Sequence, residues 1–529
     1  MNLTGKDKLV GSLLFLSILI PPLVYSFEFT SFLYPKEIAL SIFLILLFPF
    51  FMDQKERLFI PIPLLFFLVL ILFLCLGIIY AKVPEQTLIR SSELFLVLMF
   101  IIVIVAFYRE EKYRMVVDYG VLFSGIGISL AMIVQHHNLL PVLFPTFSDY
   151  KQLYSVFGNQ NLTGTYISLI MVWLLVRKDD LLEKNIYKVL CFFILGYGLF
   201  LSNSRSAWLT TFLVFVLFYM KLFRDKKFSI RQFLIVISGI FLAVVLTYPY
   251  LMERITQSFS KEDVGFRVRF WVYDGTIRMF ISHPILGVGF GNFYYWSPRY
   301  LAQALHSSYG GIHIRNELLT LHAHNDFLEL LAETGILGLA MICIFYFLWL
   351  FIYRKSYVWI AFVLISFFNP ILISASHIII AFISLFDGTR EEQNEIKMKF
   401  SGVNLKKKSR YIVCLCSCFV IIFLAYALWI PDYKLRQAEK SLILGRDCIK
   451  QYQELVCSRF ATYSMYEGYA HALMEKGDYE TAYKVLKKSL TKTDSGQVYL
   501  MLGQCAQNLG KKEESMQWHK EYLYRFPDK

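Results

Sequence analysis

The chain has 529 residues, of which 57% are hydrophobic, 17% aromatic and 18% charged. That balance is too apolar and too poorly charged for a soluble globular protein, and it predicts an all-α polytopic integral membrane protein. The net charge of +13 does not point to nucleic acid, because much of it sits in short loops between apolar runs and most of the rest is spread over the C-terminal tail.

Apolar runs of spanning length follow one another from residue 9 to about residue 250 and resume after residue 329. Lys6 and Lys8 lead into "LVGSLLFLSILIPPLVY" with no small-residue cleavage site before the next run, so the first helix is expected to stay as an anchor. Alternate loops differ in charge. One set carries Lys55/Arg57, Arg109/Lys112/Arg114, Arg177/Lys178/Lys184/Lys188 and Lys221/Arg224/Lys226/Lys227/Arg231, and the other has only Lys36, Lys82, Arg90, Lys151 and Arg205. Basic loops stay on the cytoplasmic side, which puts the N-terminus inside and the polar segment of about residues 251–329 outside. Residues 357–386 are long for one span and short for two. A hairpin broken at Asn369-Pro370 keeps the basic linker of Lys406, Lys407, Lys408 and Arg410 inside, giving about 13 spans. Residues 1–430 are thus expected to form a membrane domain and residues 431–529 an outer domain.

The outer segment is polar and helical. "EKGDYETAYKVLKKSL" and "NLGKKEESMQWHKEYL" align at a shift of 33 residues, matching Gly477 to Gly510 and Ala482 to Ser515. This small helical-repeat domain resembles tetratricopeptide repeats, stacked helix pairs whose concave face often takes a peptide. Cys448 and Cys457 are close enough in sequence for an outer-domain disulfide, provided the helix breaks between them.

Four polar stretches sit at membrane depth or just above it. "FGNQNLTGTYISL" (157–169) opens a span with Asn159. "SNSRSAW" (202–208) interrupts two apolar helices with Arg205, and an arginine between membrane helices is costly enough to mark a functional candidate. In the third stretch Arg267 and Arg269 precede Trp271, in a segment patterned as an amphipathic surface helix. Two arginines two apart on a helix diverge by about 200°, so the pair meets one ligand only where the segment is kinked or extended. "LGVGFGN" after them lacks the context of a phosphate loop and reads as a tight turn through Gly287, Gly289 and Gly291. The fourth, "HAHND", carries His322 and His324 at the mouth of a helix. No third ligand accompanies them, so no metal is expected. Asn325 or Asp326 suits a helix N-cap, and a histidine at such a helix start, facing arginines from other loops, suits a general base.

In this order, "SNSRSAW", "RVRFW…HPILGVGFGNF" and "HAHNDFLELLAETGILGL" resemble the O-antigen ligase and polymerase superfamily over about residues 150–350. The resemblance implies a bacterial inner-membrane glycosyltransferase whose catalytic loop and tail are periplasmic. It implies transfer of a glycan from undecaprenyl diphosphate with no cofactor and with inversion at the sugar. It assigns His324 as base and, as diphosphate ligands, Arg205 and Arg267, the latter by its spacing of four from Trp271, with Arg269 a departure from the pattern or a second cation; Asn159, Trp271, His322 and Asn325 are taken as supporting residues. The acceptor stays open between a Ser or Thr of an exported protein, a lipid A-core sugar and a second lipid-linked glycan. The outer repeats tip it modestly toward protein. A lipid or sugar transporter is the reading from another class, but the duplicated halves that transporters show are not evident.

Overall fold

The structure is a computed structural model in which residues 4–54, 58–140, 155–177, 185–259, 264–308, 321–352, 356–385, 403–405 and 408–526 are described. The described residues are overwhelmingly helical. Chain order gives α1 (Gly5–Leu23), α2 (Tyr34–Asp53), α3 (Ile62–Cys75), α4 (Pro84–Tyr108), α5 (Glu111–His136), α6 (Gln160–Val176) and α7 (Asn185–Leu201). These are followed by α8 (Arg205–Arg224), α9 (Ile230–Phe259), α10 (Val264–Ser282), α11 (Phe293–Ser308), α12 (Asp326–Ile352), α13 (Tyr357–Ser366) and α14 (Ala375–Leu385). Among the described residues, seven helices are long and apolar enough to cross a membrane, and five shorter apolar helices accompany them.

Burial separates central helices from peripheral ones. Residues 96–105 of α4 and 162–175 of α6 are buried on every face, as expected of helices apolar all round. In contrast, α8 and α9 leave Phe212, Leu217, Phe241 and Leu246 exposed, the apolar outer surface that lipid covers in a protein of this kind.

The 357–386 segment does divide in two. Ser356 and Ser384, at the start of α13 and near the end of α14, have hydroxyls 3.2 Å apart, so the two helices form a hairpin whose tip is the Asn369-Pro370 break. The following linker lies on the same side as the first basic loop. Val403–Leu405 pairs antiparallel with Leu58–Ile60, and Arg410 Nη1 donates to the Gln54 carbonyl.

The last membrane helix runs without a stop from Ser409 to Ile443, so the change of composition near residue 430 falls inside one helix. Its upper part is tied to the loop after α1. The Thr30 N–H donates to Asp432 (2.8 Å) and Lys440 pairs with Glu28 (2.6 Å). Beyond it, helices Tyr463–Glu475 and Tyr479–Ser489 form one pair, and Gly496–Asn508 and Lys512–Arg525 a second. The starts Tyr463 and Gly496, and Tyr479 and Lys512, are each 33 residues apart, and both pairs turn at a left-handed glycine, Gly477 (φ 79°) and Gly510 (φ 72°). Cys448 and Cys457 flank one unbroken helix, Ile449–Val456, the first buried and the second exposed. Both are free thiols, because the break that a bridge requires is missing.

Candidate functional site

The polar motifs converge at one end of the bundle, and the α13–α14 hairpin tip is what joins them. Arg205 opens α8 behind the N-cap Ser204. The next residue, Ser206, accepts a hydrogen bond from Asn369 Nδ2 at the hairpin tip (2.8 Å). Two residues on, the Ile371 N–H donates to Asp326 Oδ2 (3.1 Å), at the first turn of α12. "SNSRSAW" and "HAHND", more than 110 residues apart in the chain, are therefore held together through one short turn.

The His-Ala-His-Asn-Asp segment is shaped by α12. Asn325 Oδ1 accepts the Leu328 N–H (3.0 Å) and is the helix N-cap, a role worth about 1 kcal/mol. Glu329, one turn in, reaches back: Oε1 lies 2.8 Å from His322 Nδ1, and Oε2 accepts the Ala323 N–H at 2.8 Å. With both residues before it pinned, His324 takes a left-handed backbone (φ 54°), a conformation that costs about 1–2 kcal/mol for a residue with a side chain. Asn203 in the Ser-Arg motif is held in the same region (φ 52°).

Arg269 and Tyr273 lie one turn apart on α10, and both belong to this corner. Tyr273 is hydrogen-bonded to Asn325, and Arg269 acts electrostatically on Tyr273 and on His324. Burial first, then the positive charges of Arg269 and His322, push the His324 imidazole down to about 4. It is therefore neutral at neutral pH, with a nitrogen lone pair free to take a proton.

Of the remaining predicted residues, Trp271 and Asn159 have other partners. Arg267 lies on α10, where its side chain is outside the described residues. Trp271 is a core residue of the segment between α9 and α12: it is buried beside Val272, Met279, Leu301 and Ala332, and its indole N–H donates to the Leu301 carbonyl (2.8 Å). Its spacing from Arg267 thus marks a packing position. Asn159 caps α6, accepting from the Asn161 N–H (2.8 Å). Among the described residues its hydrogen bonds stay within the first turns of α6.

"LGVGFGN" is a turn, as its glycines predicted, and it locks the external region onto α12. Gly287, Gly289 and Gly291 have φ of 69°, 100° and 77°. The Val288 and Gly289 N–H groups donate to the Ala332 and Glu333 carbonyls, just before α12 kinks at Gly335 (φ 64°). A Cβ on Gly287 would come within 2.3 Å of the Glu333 backbone, so only glycine allows the contact. Asn292 fastens the other edge, its Oδ1 accepting the Val83 N–H (2.8 Å) at the start of α4.

Beside the corner lies a cavity of about 390 Å³ that sequence reasoning did not anticipate. Its polar lining includes Arg90 and Glu93 of α4, paired at 2.8 Å, together with His322, Glu329 and Glu333. Among the described residues, no three His, Cys, Asp or Glu side chains are placed to share a metal ion.

Comparison with known proteins agrees with the motifs. Residues 190–343 match the O-antigen ligase family. The chain is similar to the ComP-specific O-oligosaccharyltransferase of Acinetobacter baylyi (strain ATCC 33305 / BD413 / ADP1), with 25% identity over 267 residues. That alignment takes in 47% of this chain and 46% of the relative, so the chain spans about half the length of the curated protein it matches. The matched region contains the Ser-Arg motif, both arginines of α10 and the histidine corner, the residues that carry the resemblance to the O-antigen ligase superfamily.

Proposed function

We propose that this protein is a ligase-type glycosyltransferase that moves an oligosaccharide en bloc from undecaprenyl diphosphate to a hydroxyl of an extracytoplasmic acceptor. The observation that carries the reading is His324, a neutral, largely buried imidazole held in a strained turn at the head of α12, within electrostatic reach of Arg269. The acceptor hydroxyl attacks the anomeric carbon and passes its proton to His324. The bond from that carbon to the diphosphate oxygen breaks, and undecaprenyl diphosphate leaves with the electron pair. Attack opposite the leaving group inverts the sugar configuration.

Arg269 and Arg205 are assigned to the diphosphate, because a guanidinium binds phosphate oxygens two at a time and stays charged where water is scarce. Of the two α10 arginines, Arg269 is preferred for its influence on His324. A bound diphosphate offsets the positive charge of Arg269 and raises the imidazole toward the range where it is an effective base. The reading needs no metal and no cofactor. The site is assigned to the periplasmic face of a bacterial inner membrane with the N-terminus cytoplasmic, and residues 431–529 to a tetratricopeptide-like domain, supported by the alternation of basic loops and by the 33-residue helix repeat.

Polypeptide is the preferred acceptor, supported by the helix pairs of the outer domain and by the similarity to a ComP-specific O-oligosaccharyltransferase. The test is a transfer assay with purified protein, an undecaprenyl-diphosphate oligosaccharide, and hydroxyl-bearing peptide, lipid A-core and second lipid-linked glycan acceptors, with and without EDTA. Glycosylated peptide in the presence of EDTA is the expected result. Chain extension of the lipid-linked glycan alone makes the protein a polymerase, and transport of the donor without transfer ends the reading.

A further inference from the structure

The charge around the histidine corner is divided by sign. On the α10 side stands Arg269. The 390 Å³ cavity, which His322 also lines, is acidic: Glu93 lies beside Arg90, Glu329 and Glu333 project from α12, and Asp432 and Glu439 come from the helix Ser409–Ile443. Arg90 is already paired with Glu93 at 2.8 Å, with Glu329 and Glu333 acting on it electrostatically. Arg436 is likewise engaged, by Glu439 at 3.0 Å, so a diphosphate or a phosphorylated sugar placed here would meet more carboxyl groups than guanidiniums, both of these guanidiniums already paired.

The cavity wall is shared with the outer domain. Thr462, Tyr463 and Ser464, at the start of the first repeat helix pair, line it, and Tyr463 stacks on Tyr294 of the external region (ring centroids 5.9 Å, 28° between planes). Around this contact Lys492 pairs with Glu85 of α4 (3.1 Å), and His306 Nε2 donates to the Tyr524 carbonyl (2.7 Å). The first outer helix pair thus supplies part of the cavity wall. The volume is within the range of sites that take small ligands or a short side-chain-bearing segment.

We infer that this acidic cavity is the acceptor site, and that it selects a Ser- or Thr-bearing polypeptide segment with basic or uncharged neighbours, Tyr294 and Tyr463 forming its aromatic gate. The inference rests on the transferase reading, which it deepens by giving donor and acceptor opposite sides of the histidine corner. Carboxylates attract basic flanking residues and accept hydrogen bonds from hydroxyls, whereas they repel the phosphates of a lipid A core.

The experiment uses full-length protein in lipid nanodiscs and fluorescent serine peptides identical except for flanking Lys, Ala or Glu, with a phosphorylated lipid A-core saccharide as a further probe. Binding is read by anisotropy without donor, and transfer with an undecaprenyl-diphosphate oligosaccharide. The Lys-flanked peptide is expected to bind about tenfold more tightly than the Glu-flanked one. Glu439→Lys should shrink that ratio toward one, and Tyr463→Ala should weaken all three peptides alike. Equal binding of the three peptides by wild type, tighter binding of the Glu-flanked peptide or the phosphorylated saccharide, or a ratio untouched by Glu439→Lys overturns the inference. Transfer with no charge preference sinks the cavity assignment and leaves the transferase standing, while a charge preference with no transfer to any acceptor does the reverse.

Discussion

The two ends of the helix bundle use the same residue types to opposite ends. At the end that carries the basic loops, expected to face inward, Arg177 is buried against Asp118, whose other oxygen accepts from the Tyr108 hydroxyl (3.0 Å), and Lys112 pairs with Asp7 (2.7 Å). These four charges are matched in pairs, and the backbone around Asp118 is regular helix. At the outer end the backbone is forced into left-handed turns at Asn203 and His324, α12 kinks at Gly335, and charges gather around a cavity. Charged groups that are paired and enclosed hold helices together. Those gathered around open space beside strained backbone are arranged for a ligand.

That contrast is open to attack by substitution. The largest effect on stability is expected at the inner end. Asp118→Ala leaves Arg177 buried without its carboxylate and should cost about 3–5 kcal/mol, read as a lower unfolding temperature in detergent. Transfer per folded molecule should be unchanged, and a specific loss of activity would erase the distinction between the two ends.

The next effect separates Arg269 from a purely structural role. With His324 at about 4, kcat/KM of the free enzyme should be level from pH 7 to about 5 and fall as the pH approaches 4, where the imidazole takes up a proton. Removing a nearby cation makes the imidazolium less costly, so Arg269→Gln should move this acid limb upward by about one unit. An unmoved limb would dissociate Arg269 from His324.

The smallest effect is at Asn159. If it only caps α6, Asn159→Ala should cost about 1 kcal/mol of stability with KM and kcat intact, and Asn159→Asp should restore the stability. A selective change in KM would return it to the site.

Much of this arrangement was legible in the sequence, and the parts that were not have a common reason. Apolar run lengths gave the helices, Asn369-Pro370 marked the hairpin, and the left-handed turn of "LGVGFGN" followed from its glycines, because each depends on neighbours a few residues away. The Arg90–Glu93 pair beside Glu329 and Glu333 was missed because those groups meet across about 240 residues of chain, and no periodicity encodes such a meeting. Trp271, the marker from which Arg267 is counted, is turned by its helix into the Leu301 and Met279 core. Residue pattern alone does not separate His322 from His324, and only the family resemblance picks out His324. The Glu329 carboxylate distinguishes them, holding the first ring and leaving the second beside Arg269.

The central claim is that His324 accepts the proton of the acceptor hydroxyl, and it is tested most directly by glycan transfer with His324→Ala beside wild type, both shown to be folded by their unfolding temperatures. The account predicts that binding of the lipid-linked donor survives while transfer falls by about 10²–10⁴-fold, the usual contribution of a positioned base. Transfer by the folded variant at the wild-type rate would contradict it.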